Sequence, residues 1–409
     1  MQSTSFQKLS RSTLLFPLAL VVFEFAVYIC NDLIQPAMLS ITQDFGVSST
    51  WAPSSMSFYL LGGACIAWLL GPLSDRLGRK RVLLAGVMFF TICCLLILLT
   101  QNIQQFLTLR LLQGMGLSVI SAVGYAAIQE IFTERDAIKV MALMANISLL
   151  APLLGPILGA FLIDYVSWHW GFVAIASLSF LSWFGLKSKM PEQQQKPIKQ
   201  PFIYLFKDFK KIYFDRNFLG LTLALPIIAV PLMLWVALSP VILVKALGFS
   251  SMQYGLAQFP IFFALIAGNI VLLKVIDRFP LGKTALIGVP IMFLGALFLL
   301  FGAISNIYLV PCLLIGMTLI SFGEGFSFSV MYRFALMSSN ISKGTVAAAV
   351  SMFLMFSFFI IIELVRVLYM HFHIPAFAWA CFCLIGLWFI CPQVMLKRIM
   401  QQRLNAKQF

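Results

Sequence analysis

Charge is what this chain has least of. Only 10% of its 409 residues are Asp, Glu, Lys or Arg, against about 25% in soluble globular domains. Acids are the scarcer sign, 14 against 28 bases, and His occurs 3 times. With so few acids and histidines, scattered along the whole length, no paired soluble-domain catalytic constellation forms, so an enzyme is not expected. His371-x-His373 has no acidic partner nearby in sequence, and no metal site is read there. The 8 Cys all lie in or beside apolar runs and are read as small apolar packers rather than a disulfide framework. Pore rings and filter repeats are missing too, which argues against a channel. Gly282-Lys283-Thr284 ends like a phosphate-binding loop, but Asp277 stands where its first glycine belongs, so neither direct ATP use nor any other cofactor is expected.

What is abundant is apolar. Apolar residues make up 61% of the chain and aromatics 14%, with 40 Phe, which rules out intrinsic disorder. That content suffices for about twelve spans of about 20 residues each. The candidate stretches are 14–39, 52–72, 82–100, 105–130, 138–162, 168–188, 216–244, 252–274, 284–304, 307–332, 344–368 and 375–396. With that division, 25 of the 28 Lys and Arg fall on one side, in the termini and alternate loops. Lys245 and Arg366 fall on the other side, and Arg110 within a span. The bias puts both termini in the cytoplasm. The net charge of +14 is therefore a topology signal and not a nucleic-acid footprint. Lys8 and Arg11 precede the first stretch as they would a signal peptide, but its length, Glu24 and Asp32 mark it as a retained span. The expected fold class is an all-α membrane protein of twelve helices in two six-helix bundles around a central cavity. The bundles are residues 1–188 and 216–409, and 189–215 is a cytoplasmic linker.

A short pattern occurs in both halves. Gly71-Pro72-Leu73-Ser74-Asp75-Arg76-Leu77-Gly78-Arg79-Lys80-Arg81 lies between spans 2 and 3, and a degraded Asp277-Arg278-Phe279-Pro280-Leu281-Gly282-Lys283 between spans 8 and 9. Asp75 and Asp277 are 202 residues apart, close to half the chain, as a parallel two-fold repeat with its working site between halves requires.

Ionisable groups within spans are few: Glu24, Asp32, Arg110, Glu324 and Glu363. A charge at a helix centre in lipid costs about 2.5–3.5 kcal/mol even on lenient scales, so these groups face protein or water. At about 100° per residue, Glu24, Tyr28, Asn31, Asp32 and Gln35 share one stripe along span 1, which must line a cavity. Desolvation disfavours an ionised carboxyl, so an enclosed acid can hold a proton near neutral pH and release it to water or a cation. Glu24 and Asp32 are the expected proton-coupling pair, with Asp32 the obligatory site and Glu324 a candidate third acid. Arg110, protonated at any depth, would hold down the pKa of a nearby acid or bridge Asp32 to the backbone, with a fixed internal salt bridge as the alternative. Glu363 and Arg366 read as an ordinary i, i+3 helix pair.

Three motifs carry a resemblance. Gly71–Leu83 resembles the loop 2–3 signature of the major facilitator superfamily. Arg110-Leu111-Leu112-Gln113-Gly114 is similar to its span-4 arginine motif, and Ala151-Pro152-Leu153-Leu154-Gly155-Pro156-Ile157-Leu158-Gly159 to the span-5 motif of its drug/proton antiporters. The resemblance covers essentially the whole chain. It implies a multidrug efflux transporter of the bacterial inner membrane, exporting small lipophilic neutral or cationic drugs, chloramphenicol among them, in exchange for protons. Partners would be drugs, protons and the lipid bilayer, with no nucleic acid, and the chain a monomer. Gly71, Asp75, Arg76, Gly78 and Arg79 would form a cytoplasmic conformational latch. Pro152 and Pro156 would break or kink span 5. Gly155 and Gly159 would form a close seam against the other half. Substrate contacts are expected from Glu24, Tyr28, Asn31, Asp32, Met56, Ser148, Leu234, Tyr254 and Gln258, where adaptable and aromatic side chains suit loose recognition. Ordinary packing is the alternative for each beyond the span-1 stripe. A proton-coupled nutrient importer is the second transport reading, and a membrane sensor lacks the signalling domain it would need.

Overall fold

The computed structural model describes residues 14–192, 202–276, 278–279, 281–339 and 341–406. Asp277 lies outside the described residues, and so does the Ser148 side chain. Every regular element among them is helical. In chain order these are α1 (Leu15–Asp32), α2 (Met38–Asp44), α3 (Ala52–Leu77), α4 (Arg79–Leu96), α5 (Ile103–Ser118), α6 (Tyr125–Ile131), α7 (Glu134–Tyr165) and α8 (His169–Lys189). Then follow α9 (Phe202–Phe214), α10 (Arg216–Ser239), α11 (Ser251–Val275), α12 (Leu281–Ser305), α13 (Leu309–Leu336) and α14 (Lys343–Ala406). A π-helical turn, Val119–Gly124, joins α5 and α6 into one span.

Ten described segments are long and apolar enough to cross a bilayer. One of them, Gly344–Ile390, is two spans, because α14 breaks at His373 (φ 52, ψ −138). At about 1.5 Å per residue that segment could not stay straight inside an apolar layer about 30 Å thick. α7 holds one further apolar stretch, Leu150–Tyr165. The fold is thus the expected twelve-span bundle architecture. Large side chains such as Leu273 (70% exposed) and Leu181 (64% exposed) would be anomalous in water and are ordinary against acyl chains.

The chain divides into two compact units, Met1–Lys207 and Asp208–Phe409. The division falls inside the segment read as a linker, part of which is itself helical as α9. In the first unit α1 packs on α7 and α8, α3 on α5, and α4 on α8. In the second, α13 packs on α10, α11 and α12, while α14 packs on α10 and α12. Lipid is as apolar as leucine, so such helices associate through close packing and polar contacts instead of water exclusion. The α3–α5 crossing shows how close: a Cβ on Gly114 would stand 1.7 Å from the Tyr59 carbonyl oxygen, and one on Gly62 1.8 Å from that of Leu111. Glycine at both positions is what lets Tyr59 and Ser55 reach Arg110.

Two local expectations are corrected. The first helix stops at Asp32 and does not run to residue 39. Pro36 has no N–H to give the Asp32 carbonyl, and its ring crowds that oxygen. Residues 33–37 form turns before α2 begins. In α7, by contrast, the helix runs unbroken through Pro152 and Pro156.

Candidate functional site

The polar stripe of α1 is enclosed. Glu24 and Asp32 are buried, and Tyr28 and Asn31 are half-buried. Gln35, in the turn after α1, is buried and stays with the stripe, its Nε2 donating to Asn31 Oδ1 at 3.5 Å.

Arg110 projects from α5 into the same region and is completely buried. An unpaired buried ion costs several kcal/mol, and the first unit meets that cost with dipoles. Arg110 Nε donates to Ser55 Oγ (3.0 Å), Nη1 to Gln113 Oε1 (2.9 Å) and the Cys30 carbonyl (3.4 Å), and Nη2 to Asn31 Oδ1 (3.3 Å). The guanidinium also lies 4.4 Å from the Tyr59 ring centroid, a contact worth about 2 kcal/mol when desolvated. The Tyr59 hydroxyl is held in turn by the Val27 carbonyl at 2.7 Å. The fixed salt bridge, the alternative reading of Arg110, is not among the ion pairs of the described residues. Asn31 stands between the charges instead: its Oδ1 accepts from Arg110, and its Nδ2 donates to Asp32 Oδ1 at 3.1 Å. Asp32 therefore feels the cation at one remove. Adding or removing its proton switches the local net charge between +1 and 0 without breaking a direct ion pair.

The span-5 glycines meet this point from the other side. A Cβ on Gly155 would lie 2.5 Å from Asp32 Cβ, and one on Gly159 2.1 Å from the Leu33 carbonyl oxygen. The seam they form is with α1, inside the first unit, and not the inter-half seam expected from the motif. It follows from the proline-terminated end of α1: the exposed carbonyl edge at Leu33 needs a neighbour without a side chain.

Further along α1, Glu24 Oε1 accepts a 2.7 Å hydrogen bond from the Tyr125 hydroxyl of α6. In the loop motif, Gly78 takes φ +94 and ψ 135, which side chains avoid, and this turn brings the first residue of α4 back on the end of α3. Arg79 pairs with Asp75 and with Glu130 (2.9 Å), and its Nη1 donates to the Gly71 carbonyl (3.4 Å) and Ser74 Oγ. Two nitrogens of Arg79 meet the two oxygens of Glu130, the strong fork geometry. Arg76 sits in the last turn of α3, where a cation complements the helix dipole.

Sequence reasoning missed Glu130 as a site residue. It ends an apolar run, where an acid reads as a boundary marker, and its partner is 51 residues away. Ser55 and Tyr59 were missed for the same non-local reason.

In the second unit, Glu324 of α13 is buried, and its Oε2 has no hydrogen-bond partner among the described residues. Its flanking glycines are committed to neighbours, Gly323 against Met292 and Gly288 of α12, and Gly325 against Asn269 and Leu265 of α11. Leu234, Tyr254 and Gln258, like Met56 in the first unit, are buried. Gln258 is held by packing partners, accepting from Trp235 Nε1 at 2.7 Å and donating to Ser239 Oγ at 3.3 Å. Glu363 and Arg366 form the expected i, i+3 pair at 2.7 Å. A cleft of about 270 Å³ between α11 and α13, lined in part by Asn269, Leu273 and Arg333, contains none of the residues expected to bind substrate.

Twelve apolar spans, an arginine–carboxylate cluster at a helix turn and a buried acid beside a buried arginine define a multi-pass membrane transporter. Residues 20–362 match the family model of the Major Facilitator Superfamily, and the chain belongs to that family. It is 73% identical over 395 residues to the chloramphenicol resistance protein CraA of Acinetobacter baumannii, covering 97% of this chain and 96% of that protein. It is 45% identical to the multidrug transporter MdfA of Yersinia pestis, over 89% of each. Among solved structures, the D-xylose-proton symporter superposes with a TM-score of 0.72 at 15% identity, covering 93% of this chain and 96% of that one; at that identity the likeness concerns the fold alone.

Proposed function

We propose that this chain is a drug/proton antiporter of the bacterial inner membrane. It exports small lipophilic drugs, neutral or cationic and including chloramphenicol, and so makes the cell resistant. The names carried by its close relatives support the substrate class, and the placement of the basic residues supports cytoplasmic termini. The proton gradient supplies the energy, no cofactor takes part, and a monomer is sufficient.

One observation carries the coupling: the Asp32 carboxyl, buried, is linked through Asn31 to the Arg110 guanidinium and seated on Gly155. Protonation there removes a charge that Arg110 balances through a single amide. The helix seam at the same residue converts that change into movement of α1 against α7. Drug and proton then compete for one electrostatic state, with Glu24 and Tyr125 extending the polar stripe toward cationic substrates. Glu324, buried in the second unit, is the third acid of the proposed set. Arg79, Asp75 and Glu130 latch one conformation on the cytoplasmic side.

Everted vesicles test this. Chloramphenicol added to a preformed proton gradient should collapse it in vesicles carrying the wild type. Asp32→Asn should insert normally and give no drug-induced proton movement. Normal exchange in that variant would falsify the assignment.

A further inference from the structure

Beside the Arg110 cluster lies a pair of thiols that the transport reading does not use. Cys30 of α1 and Cys94 of α4 are both fully buried, and their thiols flank the same side-chain amide. One side chain spans them. Gln113 Oε1 accepts from Cys30 Sγ at 3.7 Å, and Gln113 Nε2 donates to Cys94 Sγ at 3.6 Å. Arg110 Nη1 donates to Cys30 Sγ at 3.3 Å. Two buried sulfurs from separate helices are thus held by one amide, with their orientation preset. Cys93 is also buried, but consecutive helical residues diverge by about 100°.

We propose that Cys30 and Cys94 form a two-sulfur binding site for a single soft, thiophilic centre, and that a trivalent organoarsenical is the class of ligand it takes. Soft thiol donors select such centres over hard cations. Two sulfurs match the two exchangeable valences of an arsenic atom that keeps one organic group. With phenylarsine oxide the step is balanced: two arsenic–sulfur bonds form, and the arsenic–oxygen bonding is lost. The oxygen leaves as water with both thiol protons, and no oxidation state changes. Reactants and product are neutral, so the buried site gains no charge to desolvate. Occupancy removes the Cys30 thiol proton that Gln113 accepts and fixes in place the sulfurs that accept from Arg110 and Gln113, and Cys30 lies two residues from Asp32.

The site stands whether or not the chain exports drugs, and its test reads mass alone. Purified full-length protein is treated with phenylarsine oxide and weighed intact. The wild type should carry one adduct that Cys30→Ser and Cys94→Ser each lose and Cys93→Ser keeps. A dithiol should remove that adduct, and a monothiol at the same sulfur concentration should not. Digestion of the wild type, which needs no variant, should yield α1 and α4 peptides joined through arsenic. Equal adduct numbers in wild type and both serine variants, or arsenic joining other cysteines only, overturns the proposal.

Discussion

Consider Gly155→Ala, a single added methyl at the seam between α7 and α1. The new Cβ would sit 2.5 Å from Asp32 Cβ, 3.0 Å from the Asp32 carbonyl carbon and 3.1 Å from Leu33 N. Carbon atoms rest at about 3.5–4.0 Å, so the helices must part by about 1 Å. None of the three atoms is the tip of a flexible side chain, so the backbone itself has to move. Four residues on, Gly159 already approaches the Leu33 carbonyl, which stops the helix from sliding to compensate. Such overpacking costs about 1–3 kcal/mol. Charged against the conformer with the closed seam, that energy changes the ratio of two states by about 5- to 150-fold. It also strains the 3.1 Å bond from Asn31 to Asp32, with little slack before the contact ceases to be a hydrogen bond. Drug-induced proton movement in everted vesicles, normalised to protein inserted, should fall at least about fivefold. Gly386→Ala is the control, since a Cβ there meets nothing within 4 Å. Wild-type exchange by Gly155→Ala would refute the claim that this seam transmits the state of Asp32.

Three further outcomes follow from the same geometry. Tyr125→Phe removes the 2.7 Å bond to Glu24, and like Glu24→Gln it should change resistance to cationic drugs more than to neutral ones; growth across an antibiotic panel that shifts equally for both classes counts against this. Glu130→Gln leaves Arg79 with Asp75 as its remaining ion-pair partner among the described residues. It should raise cytoplasmic-side accessibility to a thiol probe placed near residue 79, and unchanged labelling would dismiss the latch. Gly78→Ala must hold a side chain at φ +94, at a cost of about 1–3 kcal/mol, so its melting temperature should drop measurably. A variant as stable as the wild type would show that the turn relaxes freely.

Individual residues show how far reading the chain could go. The stripe of Glu24, Tyr28, Asn31 and Asp32 was legible because helical periodicity is local. Gln35 lies past the end of α1, which Pro36 limits, yet its side chain still meets Asn31 of the stripe. Arg110 was identifiable as a buried cation tied to Asp32, yet the neutral groups from three helices that surround it were not. The same holds for Gly155 and Gly159, recognisable as a close-contact pair but assigned the wrong neighbour.

The order of apolar segments, by itself, settled that this polypeptide crosses a bilayer repeatedly. Burying backbone and charge in hydrocarbon is so costly that composition alone dictates the answer. Which groups surround Asp32 and Arg110 was decided only by the tertiary structure. Those partners come from helices tens of residues apart, and ångström-scale packing at glycines determines which of them meet.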